Sequence, residues 1–372
     1  MIRILHVLTA MDRAGTETML MNLYRTIDRS EIQFDFAVSA TRHCDFDDEI
    51  ISIGGRIIHY PLYKGTNHFA YKKWWKDFFS SHPEYRIIHG HIGSTAAIYL
   101  KISKSFGCYT IAHSHNASEG AGLHGLLYRL YSYPTRNIAD YFIGCSNAAL
   151  VARYGSRVAS DTGISTVLKN GIDVGKYAYS SSVRSSVLSE LGIDSSALVL
   201  GTVGRMTDQK NPLFIIDILT ELDKRGVDYV FLWAGTGEMK SEIESEISSR
   251  GLSSKVRLLG VRSDIDRILS ALNVFLLPSK YEGLPVIGVE VQAAGVPMLC
   301  SDRVSSEVKI TEYCRFLDID SASLWADAVL EYREFVRNPS ASAEVTRAGY
   351  DIRSTAAWLS DFYKSVPPGG SR

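Results

Sequence analysis

The sequence predicts an α/β fold built as two doubly wound domains in series. Three observations lead there. Short β-rich runs alternate with amphipathic helical patterns, which implies mostly parallel sheets covered by helices. The alternation falters once, near residue 171, and then restarts. The chain has 372 residues, too many for one ordinary core and suited to two.

The elements follow in order. Residues 2–8, 33–38, 56–59, 86–90, 109–112, 141–144 and 166–168 read as strands, with helical patterns at 16–27, 71–80 and 123–135. Residues 171–189 are Ser-rich and contain Gly, and read as a linker. After it, 198–203, 229–233, 256–259, 274–277 and 297–299 read as strands, and 212–225, 238–250 and 285–294 as helices. No short repeat is visible, so the halves are alike in architecture rather than in sequence. A last helical pattern, 354–364, carries Ala357, Leu359, Phe362 and Tyr363 and needs a surface to dock on. The tail 367–372, Pro-Pro-Gly-Gly-Ser-Arg, reads as disordered. The expected domains are therefore 1–170 and 171–351.

Composition excludes several classes. At 45% apolar and 22% charged residues the chain is an ordinary globular protein. Its opening apolar run is too short for a membrane span and lacks a signal-peptide cleavage site. The five cysteines are scattered, with no Cys-x-x-Cys pair, which favours a reducing cytoplasm over a disulfide or zinc framework. Residues 1–180 carry 19 Lys+Arg against 15 Asp+Glu, and the remainder 21 against 26. The positive first half suits an anionic membrane surface or a phosphorylated acceptor, or is ordinary scatter. No nucleic-acid partner is expected.

The most informative stretch is 278–295, Pro-Ser-Lys-Tyr-Glu-Gly-Leu-Pro-Val-Ile-Gly-Val-Glu-Val-Gln-Ala-Ala-Gly. A buried strand runs into a Gly-Pro turn holding Glu282, and a helix holding Glu290 follows. The first amides of a helix lack partners and its dipole favours negative charge, so this is a ready anion site. An anion site flanked by two carboxylates suits a sugar joined to a diphosphate. The second signal is 201–212, Gly-Thr-Val-Gly-Arg-Met-Thr-Asp-Gln-Lys-Asn-Pro, a loop between a buried strand and a proline that can open a helix. Arg205 and Lys210 suit phosphate oxygens and a departing diphosphate. Taken singly, all four charges are as well read as solvated turn, loop or helix residues.

Together these motifs change the balance. Gly-Arg-x-x-x-x-Lys-Asn-Pro at 204–212, followed by Pro-Ser-x-Tyr-Glu-Gly-Leu-Pro-x-x-x-x-Glu at 278–290, resembles the family 4 glycosyltransferases of GT-B fold. These are retaining enzymes that use sugar nucleotides. The likeness covers nearly the whole chain, and the opening Ala14-Gly-Thr-Glu-Thr-Met-Leu-Met-Asn-Leu-Tyr-Arg25 resembles the branch that builds bacterial capsule and exopolysaccharide. The resemblance implies two Rossmann-like domains facing each other across a cleft, with residues 352–366 crossing back onto the first. It makes Arg205 and Lys210 a diphosphate clamp. It puts Glu282 on the donor sugar and Glu290 on the ribose hydroxyls. Backbone amides of Gly283, Leu284 and Val286 add contacts, while Pro285 has no N–H and suits the first helical position. The nucleotide base rests on backbone around Val261 and Arg262, where a helix-capping turn through Ser263 is the plainer reading.

In the first domain, Gly15 permits close backbone approach in the segment 9–17, and Thr16 can cap the next helix. The family usually has two glycines here, and Ala14 stands in the place of the first. His89-Gly-His91 and His113-Ser-His115 both follow strands, where the chemistry of such sheets takes place. His115 best matches the family's donor-sugar histidine, with His113 one strand step away. His89 and His91 are candidates for the acceptor site. Metal binding is the alternative for these pairs, but the resemblance implies none and no Asp-x-Asp lies nearby. The aromatic and cationic segment 71–79 is either a membrane-surface helix or an amphipathic helix packed on the first sheet.

The sequence thus points to a retaining hexosyltransferase using a nucleotide sugar, expected to be a UDP-sugar, with no cofactor and no metal. The acceptor is a glycan hydroxyl, expected on a polyisoprenyl diphosphate at the cytoplasmic membrane face. The alternatives are a nucleotide-sugar epimerase of the same fold and a catalytically silent partner subunit.

Overall fold

The computed structural model describes residues 1–115 and 130–367. The chain divides into two compact units, Met1–Gly171 with the C-terminal segment from Ile352, and Ile172–Asp351. Two sequence expectations fall wholly or partly outside the described residues: most of the helix at 123–135 and the tail from 368. Tyr133–Asn137 forms a single 3-10 stretch.

Among the described residues, the first unit holds seven parallel strands: β1 (Ile2–Leu8), β2 (Ile32–Val38), β3 (Ile57–His59), β4 (Ile87–Gly90), β5 (Tyr109–Ser114), β6 (Tyr141–Gly144) and β7 (Ser165–Val167). Their order is β3-β2-β1-β4-β5-β6-β7. The second unit holds β8 (Leu198–Val203), β9 (Tyr229–Ala234), β10 (Val256–Gly260), β11 (Val274–Leu277), β12 (Met298–Ser301) and β13 (Cys314–Leu317), ordered β10-β9-β8-β11-β12-β13. Both units share the doubly wound order, which reverses direction beside the first strand. Each therefore has a topological switch point at the carboxyl ends of its central strands, between β1 and β4 and between β8 and β11. Strand β13 escaped the sequence reading because Cys314-Arg-Phe-Leu is a four-residue edge strand with no clear periodicity.

The supposed linker is folded. Val174–Tyr177 forms a short helix whose cap, Asp173, accepts from the Lys176 amide. Ser181–Glu190 forms another, with the Ser180 hydroxyl accepting from Val183 and with Val187 and Leu188 buried. The serines that suggest a linker are a cap and an exposed helix face.

The last helix, Ile352–Ser365, belongs to the first unit. It buries Ile352, Thr355, Ala356, Leu359 and Tyr363, a stripe with the 3.6-residue period, in the same core as Met19, Leu20 and Leu23 of the helix Gly15–Thr26. Burying Leu359, which is wholly inaccessible, contributes about 1.5–3 kcal/mol. The helix His68–Ser81 packs on the other face of the first sheet through Tyr71, Trp75, Phe78 and Phe79 and leaves Phe69 exposed. Among the described residues, no helix is long and apolar enough to cross a membrane.

Candidate active site

The two motifs of the second unit meet at its switch point. The loop after β8 carries Arg205 and Lys210; the turn after β11 carries Glu282. Backbone and side-chain bonds hold loop and turn together. The Lys280 amide donates to the Gln209 carbonyl at 2.8 Å, the Gln209 side-chain amide donates to the Tyr281 carbonyl at 3.0 Å, and Lys280 pairs with Asp208. Under this clamp Lys210 forms an ion pair with Glu282, and the Ser279 hydroxyl donates to the same carboxylate oxygen at 2.9 Å.

The pair is only 21% and 11% exposed at its two side chains, so the reading of Lys210 and Glu282 as solvated charges is wrong. A half-buried ion pair stabilises little by itself, but removal of either partner strands the other. Arg205, by contrast, is exposed, and among the described residues no carboxylate pairs with it.

Glycines set this geometry from below. The Gly204 amide donates to Ala234, and the Met206 amide to Thr236. A Cβ on Gly235, which has φ +139°, would stand 1.9 Å from the Gly204 carbonyl oxygen. Only glycine permits that approach. The sequence reading missed Gly235 and Gly237, although Gly-x-Gly directly after a buried strand is a legible signal of close backbone contact. The Gly235 amide also donates to Gly260 at 2.7 Å, which ties the end of β10 to the same assembly. Just beyond it Val261 is exposed, and the Arg262 side chain is committed to Asp264 and Glu190. The cap of the following helix is Asp264 rather than Ser263, with no side-chain bond.

Past the turn, the helix Val286–Ala293 takes Pro285 as its cap and so starts one residue later than the sequence suggests. Among the described residues, the amides of Gly283, Leu284 and Val286 have no hydrogen-bond acceptor. They are the partnerless donors that an anion can satisfy. Glu290 lies one turn further on and accepts from the Tyr177 hydroxyl at 2.7 Å. It is no exposed helix residue: burial raises its carboxyl above the ordinary range, only partly offset by Tyr177 and Lys176. Burial and the adjacent carboxylate likewise push the Tyr177 hydroxyl up. Tyr177 was missed because it lies in the segment read as a linker; Asp173 three residues before Lys176 was the signal of a capped turn.

In the first unit, Gly15 opens the helix after β1. Its cap is Ala14, at φ −118° and ψ 175°, with no side-chain bond, so Thr16 is not the cap and extended Ala14 needs no glycine. Gly15 is exposed, and a Cβ on it would meet nothing within 4 Å. His115 lies just past β5 and contacts the His91 ring, 2.8 Å between nitrogens. His113 contacts His89 at 3.1 Å. Burial holds His115 down to about 3 and His89, His91 and His113 well below the usual histidine range. The rings are therefore neutral at pH 7.

Comparison with known proteins bears on the fold and the enzyme class. Residues 185–331 match the family Glycosyl transferases group 1. A Bacillus subtilis (strain 168) protein named as glycosyltransferase EpsF is 29% identical over 97% of this chain and 96% of its own. The Escherichia coli UDP-Gal:alpha-D-GlcNAc-diphosphoundecaprenol alpha-1,3-galactosyltransferase is 33% identical over 42% of each chain. The solved structure of Anabaena Alr3699/HepE in complex with UDP superposes with a TM-score of 0.79 at 16% identity, covering 98% of this chain and all of that one. Two Rossmann-like units, the paired motifs at the second switch point and the match of residues 185–331 to glycosyl transferases group 1 lead to one conclusion: the chain is a glycosyltransferase of GT-B fold.

Proposed function

We propose that this glycosyltransferase moves a hexosyl unit from a UDP-sugar, with retention of anomeric configuration, to a hydroxyl of a lipid-linked glycan during capsule or exopolysaccharide synthesis. The observation that carries the reading is the clamp of loop 204–211 on turn 278–283, which sets Lys210 and Glu282 beside the open amides of Gly283, Leu284 and Val286. In this reading Arg205, Lys210 and the helix start neutralise the departing diphosphate. Glu282 orients the donor sugar, Glu290 holds the ribose hydroxyls, and backbone at Val261 and Arg262 supports the base. On the first unit, Gly15 and His115 are the residues proposed for the donor, and buried His89 and half-buried His91 those proposed for the acceptor.

The leaving diphosphate accepts the acceptor's proton on the same face, so neither glutamate serves as a covalent nucleophile. The UDP bound in the HepE structure, and the UDP-Gal and diphosphoundecaprenol for which the E. coli relative is named, support this choice of donor and acceptor. Lys72, Lys73 and Lys76 beside exposed Phe69 support contact with the cytoplasmic face of the membrane.

The test is transfer from a panel of UDP-sugars to a short polyisoprenyl-diphosphate glycan, with the product's anomeric configuration read by NMR. Retained configuration and no turnover of donor alone are expected. An inverted product, or isomerised donor without acceptor, overturns the proposal.

A further inference from the structure

Five histidines, His6, His89, His91, His113 and His115, crowd one face of the first sheet at the carboxyl ends of β1, β4 and β5. Strand register puts them there. His6 is the Cα partner of His89, and His89 of Ile111. His91, His113 and His115 follow at steps of two residues, so all five project to the same side. The rings are close, with centroids 4.1 Å apart for His113 and His115 and 4.5 Å for His89 and His91.

The bonding pattern separates an inner trio from an outer pair. His91 Nδ1 faces His115 Nε2 at 2.8 Å, while His91 Nε2 contacts His6 Nδ1 at 3.0 Å. His113 Nδ1 contacts His89 Nε2 at 3.1 Å, and His89 Nδ1 contacts the Tyr363 hydroxyl at 2.6 Å. Among the described residues, His113 Nε2 is buried with no partner, and so is His115 Nδ1. Each of His91 and His113 thus has one nitrogen oriented by a second histidine and the other turned toward the trio. This is the arrangement by which outer partners fix the tautomer of metal-bound imidazoles.

We propose that His91, His113 and His115 form a site for a divalent transition metal of the zinc class, oriented by His6, His89 and Tyr363. One ligand atom from each of the three lies within 4.8 Å of the others. Two nitrogens on a tetrahedral ion with bonds of about 2.0–2.1 Å sit roughly 3.3 Å apart, so small ring rotations close the trio. The protons distribute consistently. His91 Nε2–H donates to His6, His113 Nδ1–H donates to His89, and His89 Nδ1–H donates to Tyr363. That leaves His91 Nδ1, His113 Nε2 and His115 Nε2 for the ion. His115 keeps Nδ1–H for a hydroxyl, so the site neither needs nor excludes a sugar contact there.

The experiment uses the untagged full-length protein, stripped with a chelator and titrated with Zn2+ by calorimetry and with Co2+ by visible absorption. One equivalent of each metal, a tetrahedral Co2+ spectrum and a higher thermal midpoint are expected. His91→Ala and His113→Ala weaken binding by more than about 100-fold and His89→Ala by about 10–100-fold, while exposed His59→Ala changes nothing. X-ray absorption of the wild-type zinc complex provides a readout that no variant's folding can confound: three imidazoles support the site. Absent saturable uptake, fewer than three imidazoles, or unchanged uptake in a folded His91→Ala/His113→Ala protein overturns it, and the rings are then a hydrogen-bonded ladder alone.

Discussion

Glu290→Gln separates a binding carboxylate from a structural one. The wild-type carboxylate is held in a buried setting by one hydrogen bond, from Tyr177 at 2.7 Å. Its carboxyl is raised, first by burial. The sign follows by linkage. A group whose pKa is raised on folding contributes stability below its unfolded pKa, here near 4.5, and loses that contribution as pH rises through the folded value. At neutral pH ionised Glu290 is therefore a cost to the empty protein. The amide keeps an acceptor for Tyr177 at the level of a neutral hydrogen bond, worth about 1 kcal/mol, and removes the buried charge. The thermal midpoint of the nucleotide-free variant should hold or rise.

Ligand binding should move the other way. A ribose diol gives a carboxylate two charge-assisted bonds of about 1.5–3 kcal/mol each, and an amide offers only one neutral acceptor. A loss of about 1.4–2.8 kcal/mol is 10–100-fold in UDP affinity. Calorimetry with UDP and thermal melts without it are the assays. Wild-type affinity should also fall on acidification from a pH above the ordinary carboxylate range of about 4.3, and the variant should lack that limb. Unchanged affinity, or a lower midpoint with unchanged affinity, refutes the reasoning and makes Glu290 a partner of Tyr177 only.

Other predictions concern the clamp and the core. Lys210→Ala or Glu282→Ala should abolish transfer, lowering kcat/KM by at least about 100-fold while circular dichroism remains native; wild-type turnover in either variant would sink the assignment. Gly235→Ala places a methyl group against the Gly204 carbonyl oxygen at a φ of +139°. It should weaken UDP binding and lower stability by about 1–3 kcal/mol, and a neutral result would show that the loop is not held by this contact. Leu359→Ala should cost about 2–5 kcal/mol in denaturant unfolding, without changing UDP affinity if the nucleotide binds the second unit.

Much of the candidate site was legible because its chemistry is local. Glu282 and Glu290 flank one helix start, and Arg205 and Lys210 share one loop. The two motifs together mark a candidate anion site, since orphan amides at a helix start are a property of any helix. The elements that failed were those whose meaning depends on distant partners. Ser180 and Asp173 are the exception: each caps an amide three residues on, a local signal that the Ser-rich composition masked. Tyr177 gains significance only from Glu290, and Gly235 only from Gly204.

By itself the sequence determined the α/β alternation, the existence of two domains and the residue types of the two candidate-site motifs, because hydrophobic period and turn chemistry are written in short windows. Tertiary structure decided that both sheets share one strand order and that loop 204–211 lies on turn 278–283. It also decided that five scattered histidines stack on one face of a sheet. Register and strand order arise from long-range pairing, which no short window encodes. The same long-range pairing turned Lys210 and Glu282, each plausible alone as a solvated charge, into one half-buried ion pair.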